Sequence, residues 1–192
     1  MTNYLVYEMP SNYKFIYNQS FQFIRASAIF LTNDNYYALG KMDHSLSNSG
    51  KVKFLESTLN MDSLINDELH PIATLKSEAL TKLGIDLNLP SKIKAINPYC
   101  FITEKNLSFI NLCFEIQLNL SIFEIVSLFN SHTESLHNQN LKQDISSIVF
   151  VENKSKPIND FILNNKDILI EYNKNLFDIL NNTKKPKLFL IN

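Results

Sequence analysis

The sequence is poor in the residues that mark several common classes of protein. It has two cysteines, Cys100 and Cys113, and no CxxC pair, which argues against a secreted disulfide scaffold and against a zinc site. Its three glycines are too few to predict a glycine-rich phosphate-binding loop. No run approaches the roughly 20 apolar residues of a membrane-spanning helix, and residues 1–10 lack the pattern of a signal peptide. We therefore expect a cytoplasmic protein with no membrane partner.

Neither sign of charge dominates the chain. With 18 basic and 19 acidic side chains, the formal net charge of −1 gives no general attraction to a polyanion, which argues against nucleic acid as a partner. Asparagine, lysine and isoleucine are in excess, as an AT-rich genome would produce, so single surface lysines carry little information. The one arginine, Arg25, is more informative because its planar guanidinium can bind a carboxylate or phosphate through two hydrogen bonds.

The pattern of apolar residues predicts one α+β domain over residues 1–192. A chain of 192 residues with 45% hydrophobic side chains can bury a core without a disulfide or metal. Strands are expected at 13–17, 21–31, 36–42, 51–55, 93–102, 107–118 and 145–151. Helices are expected from Pro71 to a cap at Gly84, from Ser121 to about residue 130, and over 157–182 with a break near Asn164. Residues 131–144 are expected to form a polar loop.

Residues 77–85, with the sequence SEALTKLGI, align without a gap to the end of a known signature. That signature is Gx5Ex7REUxEExGU, where U is a bulky aliphatic residue, and Glu78, Ala79, Gly84 and Ile85 match it. The chain thus resembles the Nudix hydrolases. The resemblance implies a Nudix-like mixed β-sheet flanked by helices, an α/β/α sandwich, in which Glu78 is the catalytic and metal-binding position. In an active member the metal would be Mg²⁺ or Mn²⁺.

The departures from the signature fall on its charged positions. The arginine is replaced by Ser77, and the paired glutamates are replaced by Thr81 and Lys82. A hard divalent cation binds carboxylate oxygens, and an ammonium group on the same helix face repels it. The family's glycine pair aligns with Glu56 and Ser57, ahead of a loop longer than usual.

These departures favour a domain with a degenerate metal site that binds a nucleotide-like small molecule or acts as an interaction module. The ligand-binding residues expected in the cleft are Arg25, Lys41, Lys53, Glu56 and Lys82. Two alternatives stay open: a divergent pyrophosphohydrolase of nucleoside diphosphate-linked compounds, and a structural role that includes a homodimer. The hydrolase would hold its metal with Glu78 and replacement ligands such as Glu56, Asp62 or Glu152.

A second cluster, formed by His132, Glu134 and His137, is interpreted as polar loop. Histidines five residues apart do not share a helix face, as the two histidines of an HExxH zinc motif do. Cys113, on an apolar strand, is expected in the core because free cysteine is among the most buried residue types.

Overall fold

A mixed β-sheet forms the centre of the molecule. The computed structural model describes residues 4–8, 23–44, 49–59, 64–65, 68–104 and 109–181. The strands of the main sheet are β1 (Tyr4–Glu8), β2 (Phe23–Leu31), β3 (Tyr36–Met42), β4 (Val52–Lys53), β5 (Leu55–Leu59), β8 (Ile93–Glu104), β9 (Phe109–Leu118) and β10 (Ile145–Glu152). Strands β6 (Leu64–Ile65) and β7 (Glu68–Leu69) form a separate pair. The predicted strand at 13–17 and the turn at 105–106 lie outside the described residues.

Helices cover both faces of this sheet. They are α1 (Pro71–Leu83), α2 (Ile122–Asn138), α3 (Ser155–Asn164) and α4 (Glu171–Asn181). One core lies between the sheet and the first two helices, where Leu75 and Phe129 are buried. A second core lies between the opposite face and the last two helices, where Ile158 and Phe177 are buried. The predicted α+β class and its α/β/α layering are confirmed. No helix of the described ranges is long and apolar enough to span a bilayer.

Strand β2 is the central strand that its two apolar faces predict. The sheet runs in the order β1-β8-β9-β2-β3-β10, and β2 pairs in parallel with β9 from Phe23 to Leu31. Side chains of successive strand residues point to opposite faces. Ala28 and Phe30 accordingly belong to the core under α1 and α2, whereas Ile29 belongs to the core under α3 and α4.

The hairpin between β2 and β3 is confirmed, but it opens soon after its turn. The two strands pair only at Phe30 with Ala38 and at Leu31 with Tyr37. Further from the turn, β3 pairs with β4 and β2 pairs with β5. Residues 52–59 therefore join the sheet between the two hairpin strands, and this places them beside helix α1, which contacts β5.

Helix α1 has the bounds that its sequence predicts. Pro71 occupies the first turn, where its missing N–H is not needed. Gly84 ends the helix with φ of 69°, and its N–H donates to the Leu80 carbonyl at 3.0 Å. The Ile85 N–H donates to the Ala79 carbonyl at 3.1 Å, which completes a Schellman-type cap.

Helix α2 is longer than predicted. A capping box formed by Ser121 and Glu124 begins the helix, which then continues to Asn138, so the expectation of a loop was wrong for residues 131–138. His132 and Thr133 show why the polar sequence stays helical. The His132 ring bonds to helix α1, and the Thr133 hydroxyl donates to the Phe129 carbonyl at 2.8 Å within α2.

The C-terminal part of the described chain is the interrupted helix that the sequence predicts. Helix α3 ends at Asn164, and α4 begins at Glu171. The linker docks on β4, because the Val52 N–H donates to the Ile168 carbonyl at 2.8 Å and the Ile170 N–H donates to the Val52 carbonyl at 3.3 Å. This docking fixes the second helical layer over the sheet.

We expect Gly84→Ala to destabilise the protein more than Gly50→Ala. Both glycines have positive φ, 69° and 68°, so alanine brings a backbone cost of about 1–2 kcal/mol at either position. At Gly84 the new Cβ would also lie 2.6 Å from His132 Cβ, whereas at Gly50 its nearest contact would be 3.6 Å away. Urea denaturation should show an excess loss at Gly84 of about 1–3 kcal/mol. Equal losses of stability in the two variants would mean that α1 and α2 move apart without cost to make room for the new Cβ.

Candidate functional site

The end of helix α1 carries the residues that align with the Nudix signature. Glu78 and Lys82 lie one turn apart on the same face, and Lys82 Nζ is 2.6 Å from Glu78 Oε2. The other oxygen, Glu78 Oε1, accepts a hydrogen bond from the Ser57 hydroxyl at 3.0 Å. Both oxygens of this carboxylate are therefore engaged by side chains of the protein.

Lys82 reaches a second carboxylate. Its Nζ is 3.6 Å from Asp144 Oδ2, just before strand β10. The Lys82 side chain is 24% exposed and Asp144 is 45% exposed, so solvent screens the longer contact more strongly. The ammonium group of Lys82 thus lies between a carboxylate of α1 and a carboxylate next to the sheet edge.

Thr81 aligns with the first of the two paired glutamates of the Nudix signature. Its hydroxyl lies 3.0 Å from the Ser77 carbonyl and 3.3 Å from the Glu78 carbonyl, so it is hydrogen-bonded within the helix. The Thr81 carbonyl lies 2.7 Å from His132 Nε2. A carbonyl can only accept, so Nε2 carries the proton and His132 holds the two helices together. This contact accounts for His132 without a metal.

A second ion-pair cluster lies on the strands next to α1. Lys53 Nζ is 2.5 Å from Glu56 Oε1, and Arg25 Nη1 is 3.6 Å from the same oxygen. The register places Glu56 opposite Ser27 and Thr58 opposite Arg25, so the pairing of β5 with β2 brings these groups together. Glu56 is only 8% exposed, whereas Arg25 is 38% exposed.

The two clusters meet at one small pocket. Three charged side chains, Lys53, Glu56 and Lys82, contribute to its wall. The other lining residues are Gly40, Met42, Phe54, Leu55 and Ile145. The pocket therefore has two ammonium groups and one carboxylate on an otherwise apolar wall.

The structure does not bring every expected binding residue to this pocket. Lys41 is absent from the lining, although Gly40 and Met42 on either side of it belong to it. Alternate residues of a strand point to opposite faces, which places Lys41 on the other side of β3. Arg25 is linked to the pocket through Glu56. Asp62 lies outside the described residues, and Glu152 pairs instead with Lys154.

Two contributors were not recognised from the sequence. Ser57 was aligned with a glycine position, which gave no reason to expect a hydrogen bond to Glu78. Asp144 was placed in a polar loop, where acidic residues are common. Nothing in the local sequence signals either contact, since each joins residues distant along the chain.

The two cysteines lie buried within the sheet near this site. Cys100 on β8 is opposite Cys113 on β9, and both are fully buried. Burial raises the pKa of the Cys113 thiol, and the neighbouring Cys100 thiol and the Glu56 charge raise it further. A buried thiol that stays protonated is inert as a nucleophile, so Cys113 is the core residue that the sequence predicts.

Solved structures of other proteins share this architecture. A Deinococcus radiodurans protein is 12% identical, with a TM-score of 0.53 and 81% of each chain covered. A Nudix hydrolase from Nitrosomonas europaea is 13% identical, with a TM-score of 0.48 over 87% of this chain and 93% of its own. The MutT protein from Methanosarcina mazei is 11% identical, with a TM-score of 0.48 over 86% of this chain and 97% of its own.

No protein-family model matches the sequence, and no curated relative matches it either. At identities of 11–13% the structural likeness concerns the fold alone. The mixed β-sheet flanked by helices, which the resemblance at residues 77–85 implied, is confirmed.

We expect Glu78→Gln to destabilise the protein by about 1 kcal/mol, because it weakens the contacts of a carboxylate that is only 23% exposed. The matched control is Glu152→Gln, whose partner Lys154 is 66% exposed, and which should cost less than about 0.5 kcal/mol. Denaturant unfolding of both variants measures the difference. A loss at Glu78 as small as the control would make the Glu78–Lys82 pair an ordinary surface pair.

Proposed function

We propose that this chain is a Nudix-fold binding module for the phosphate group of a nucleotide-like molecule, and that it does not hydrolyse its ligand. One observation carries the proposal. The Lys82 ammonium lies 2.6 Å from Glu78 Oε2, at the helix position where the family would use carboxylates around a cation. A lysine of the chain thus supplies the positive charge that a metal would otherwise bring.

The residues present do not fit a divalent metal. Magnesium binds oxygen ligands and is repelled by a neighbouring ammonium group. Glu78 already pairs with Lys82 and accepts from Ser57. Within the described ranges, no group of three histidine, cysteine, aspartate or glutamate side chains is placed to hold a metal. A hydrolytic step that depends on a metal therefore has no support in these residues.

The charges of the pocket support binding of an anionic group. Lys53 and Lys82 line it, and Arg25 lies behind Glu56. A phosphate group bound beside these cations would share them with Glu56 and Glu78, so the chain's own carboxylates compete with the ligand. This competition predicts moderate affinity that weakens with added salt.

The first test is binding of ADP without metal. We expect ADP to bind in the presence of EDTA, with no phosphate released when Mg²⁺ or Mn²⁺ is added. Lys82→Gln should weaken binding by about tenfold because it removes a cation from the pocket. Glu78→Gln should strengthen binding because it removes a competing carboxylate. Calorimetry and a phosphate-release assay on the same samples provide the measurements.

The matched control is Lys166→Gln, which removes an exposed lysine between α3 and α4 and should leave ADP affinity unchanged. Metal-dependent hydrolysis of ADP to AMP and phosphate that disappears in Glu78→Gln would overturn the proposal. No binding of ADP or of inorganic phosphate to the folded protein would also overturn it.

A second test restores the family's carboxylates. We expect the double variant Thr81→Glu and Lys82→Glu to gain thermal stability when millimolar Mg²⁺ is added, because a ligand that binds only the folded state stabilises it. The control pair, Thr81→Gln and Lys82→Gln, has the same shape without the charges and should show no shift. Wild-type protein should show none either. A magnesium-dependent shift in the wild type would contradict the proposal that Lys82 takes the place of the metal.

A further inference from the structure

We propose that this chain forms a symmetric dimer in which strand β10 of one copy pairs antiparallel with strand β10 of a second copy, so that the two sheets become one. This inference goes beyond the proposed binding function and does not depend on it. It concerns the outer side of β10, where no strand of the described ranges pairs.

Strand β10 lies at one end of the sheet, where it pairs with β3 on its inner side. The Asn153 N–H donates to the Asn35 carbonyl at 3.0 Å, which fixes the direction of the main-chain groups along this pair of strands. These groups alternate in direction in an antiparallel pair. The N–H and C=O of Val149 therefore point to β3, whereas those of Ile148 and Phe150 point outward. The outer side of β10 thus presents two donors and two acceptors.

This edge has little of the protection that usually keeps sheet edges apart. Exposed edges are commonly blocked by lysine, proline or a bulge, because unpaired main-chain groups recruit another strand. Strand β10 has the sequence ISSIVFVE, without lysine or proline, and its one charged residue, Glu152, is the last. Its bulge lies at the start, between Ile145 and Ser147, and leaves the rest of the strand regular. Val149 and Phe150 are only partly buried against the two cores, so apolar surface reaches the edge.

A second copy of β10 matches this pattern when the pairing is centred on Val149. Ile148 of each copy then lies opposite Phe150 of the other, so each copy donates two hydrogen bonds and accepts two. A β-branched side chain opposite an aromatic one is also a favourable cross-strand pair. In this register Glu152 lies opposite Ser146, so the two glutamates of the dimer do not face each other.

The charges at the two ends of β10 favour the antiparallel arrangement. Asp144 precedes the strand and Lys154 follows it, and their side chains are 45% and 66% exposed. Antiparallel pairing brings the Asp144 end of each copy to the Lys154 end of the other, which gives an opposite-charge pair at both ends of the interface. Parallel pairing would bring like charges together. This complementarity favours a second copy over an unrelated peptide as the partner of the edge.

The first test measures the mass and the edge of the full chain together. Sedimentation equilibrium at micromolar concentrations should show twice the mass of 22.2 kDa, and dilution should return the monomer. Hydrogen exchange followed by NMR should be slower at the Ile148 and Phe150 amides in the dimer, by about tenfold or more. The Val149 and Val151 amides point to β3 and are the internal control, since they should exchange slowly in monomer and dimer alike.

A charge exchange tests the orientation of the two strands. Asp144→Lys and Lys154→Glu should each weaken the dimer by about three- to tenfold, because each places like charges at both ends of the interface. The double variant exchanges the two charges and should recover most of the loss. Within one copy, ten residues of extended chain separate these positions by about 30 Å, so their coupling can arise only between copies. Lys166→Glu makes the same charge change between α3 and α4 and should leave the dimer unchanged.

A chain that stays monomeric up to its highest soluble concentration would overturn the proposal, whether the Ile148 amide then exchanges freely or is protected by another segment of the same chain. A dimer in which the Ile148 and Phe150 amides exchange as fast as in the monomer would overturn it too, because the copies would then meet elsewhere. Simple addition of the two losses in the double variant would contradict the antiparallel pairing. None of these outcomes depends on ADP binding, so the dimer and the binding function are tested separately.

Discussion

The opening of the β2–β3 hairpin is the constraint on which the candidate site depends. Because the two strands pair at only two positions, residues 52–59 enter the sheet between them. That entry brings Ser57 to Glu78 on helix α1 and brings Glu56 to Arg25 on β2. A fully paired hairpin would leave no place for β4 and β5, and the polar groups of strand and helix would not meet.

The charges at this junction balance within the protein itself. Arg25, Lys53 and Lys82 face the carboxylates of Glu56, Glu78 and Asp144. Withdrawing a charge from water is costly unless it is paired, and Glu56, the most buried of these groups, has two cationic partners. Each of these carboxylates has at least one cationic partner within the protein, whereas a metal would have to be captured from solution. This internal pairing of charges is one of the observations that support the proposed binding role.

The sequence predicts the features that depend on residues close together along the chain. Helix α1 is set by Pro71, its apolar stripe and Gly84, and the pairing of Glu78 with Lys82 follows from their spacing of four residues. The contacts of Ser57 and Asp144 join distant parts of the chain and depend on sheet register, which the sequence does not display. The second half of α2 was missed for a related reason. Its polar residues are typical of a loop in isolation, and they stay helical because α2 packs against α1.

Selectivity in such a site has to come from hydrogen bonding more than from net charge. Lys53 and Lys82 attract any small anion, but each already has a carboxylate partner. The net gain when an anion binds is therefore the difference between its attraction to the lysine and the attraction of that carboxylate. The buried oxygen of Glu56 is different, because no donor of the described chain competes for it. The residue that departs most plainly from the family's glycine pair is thus also the most buried charge of the two clusters.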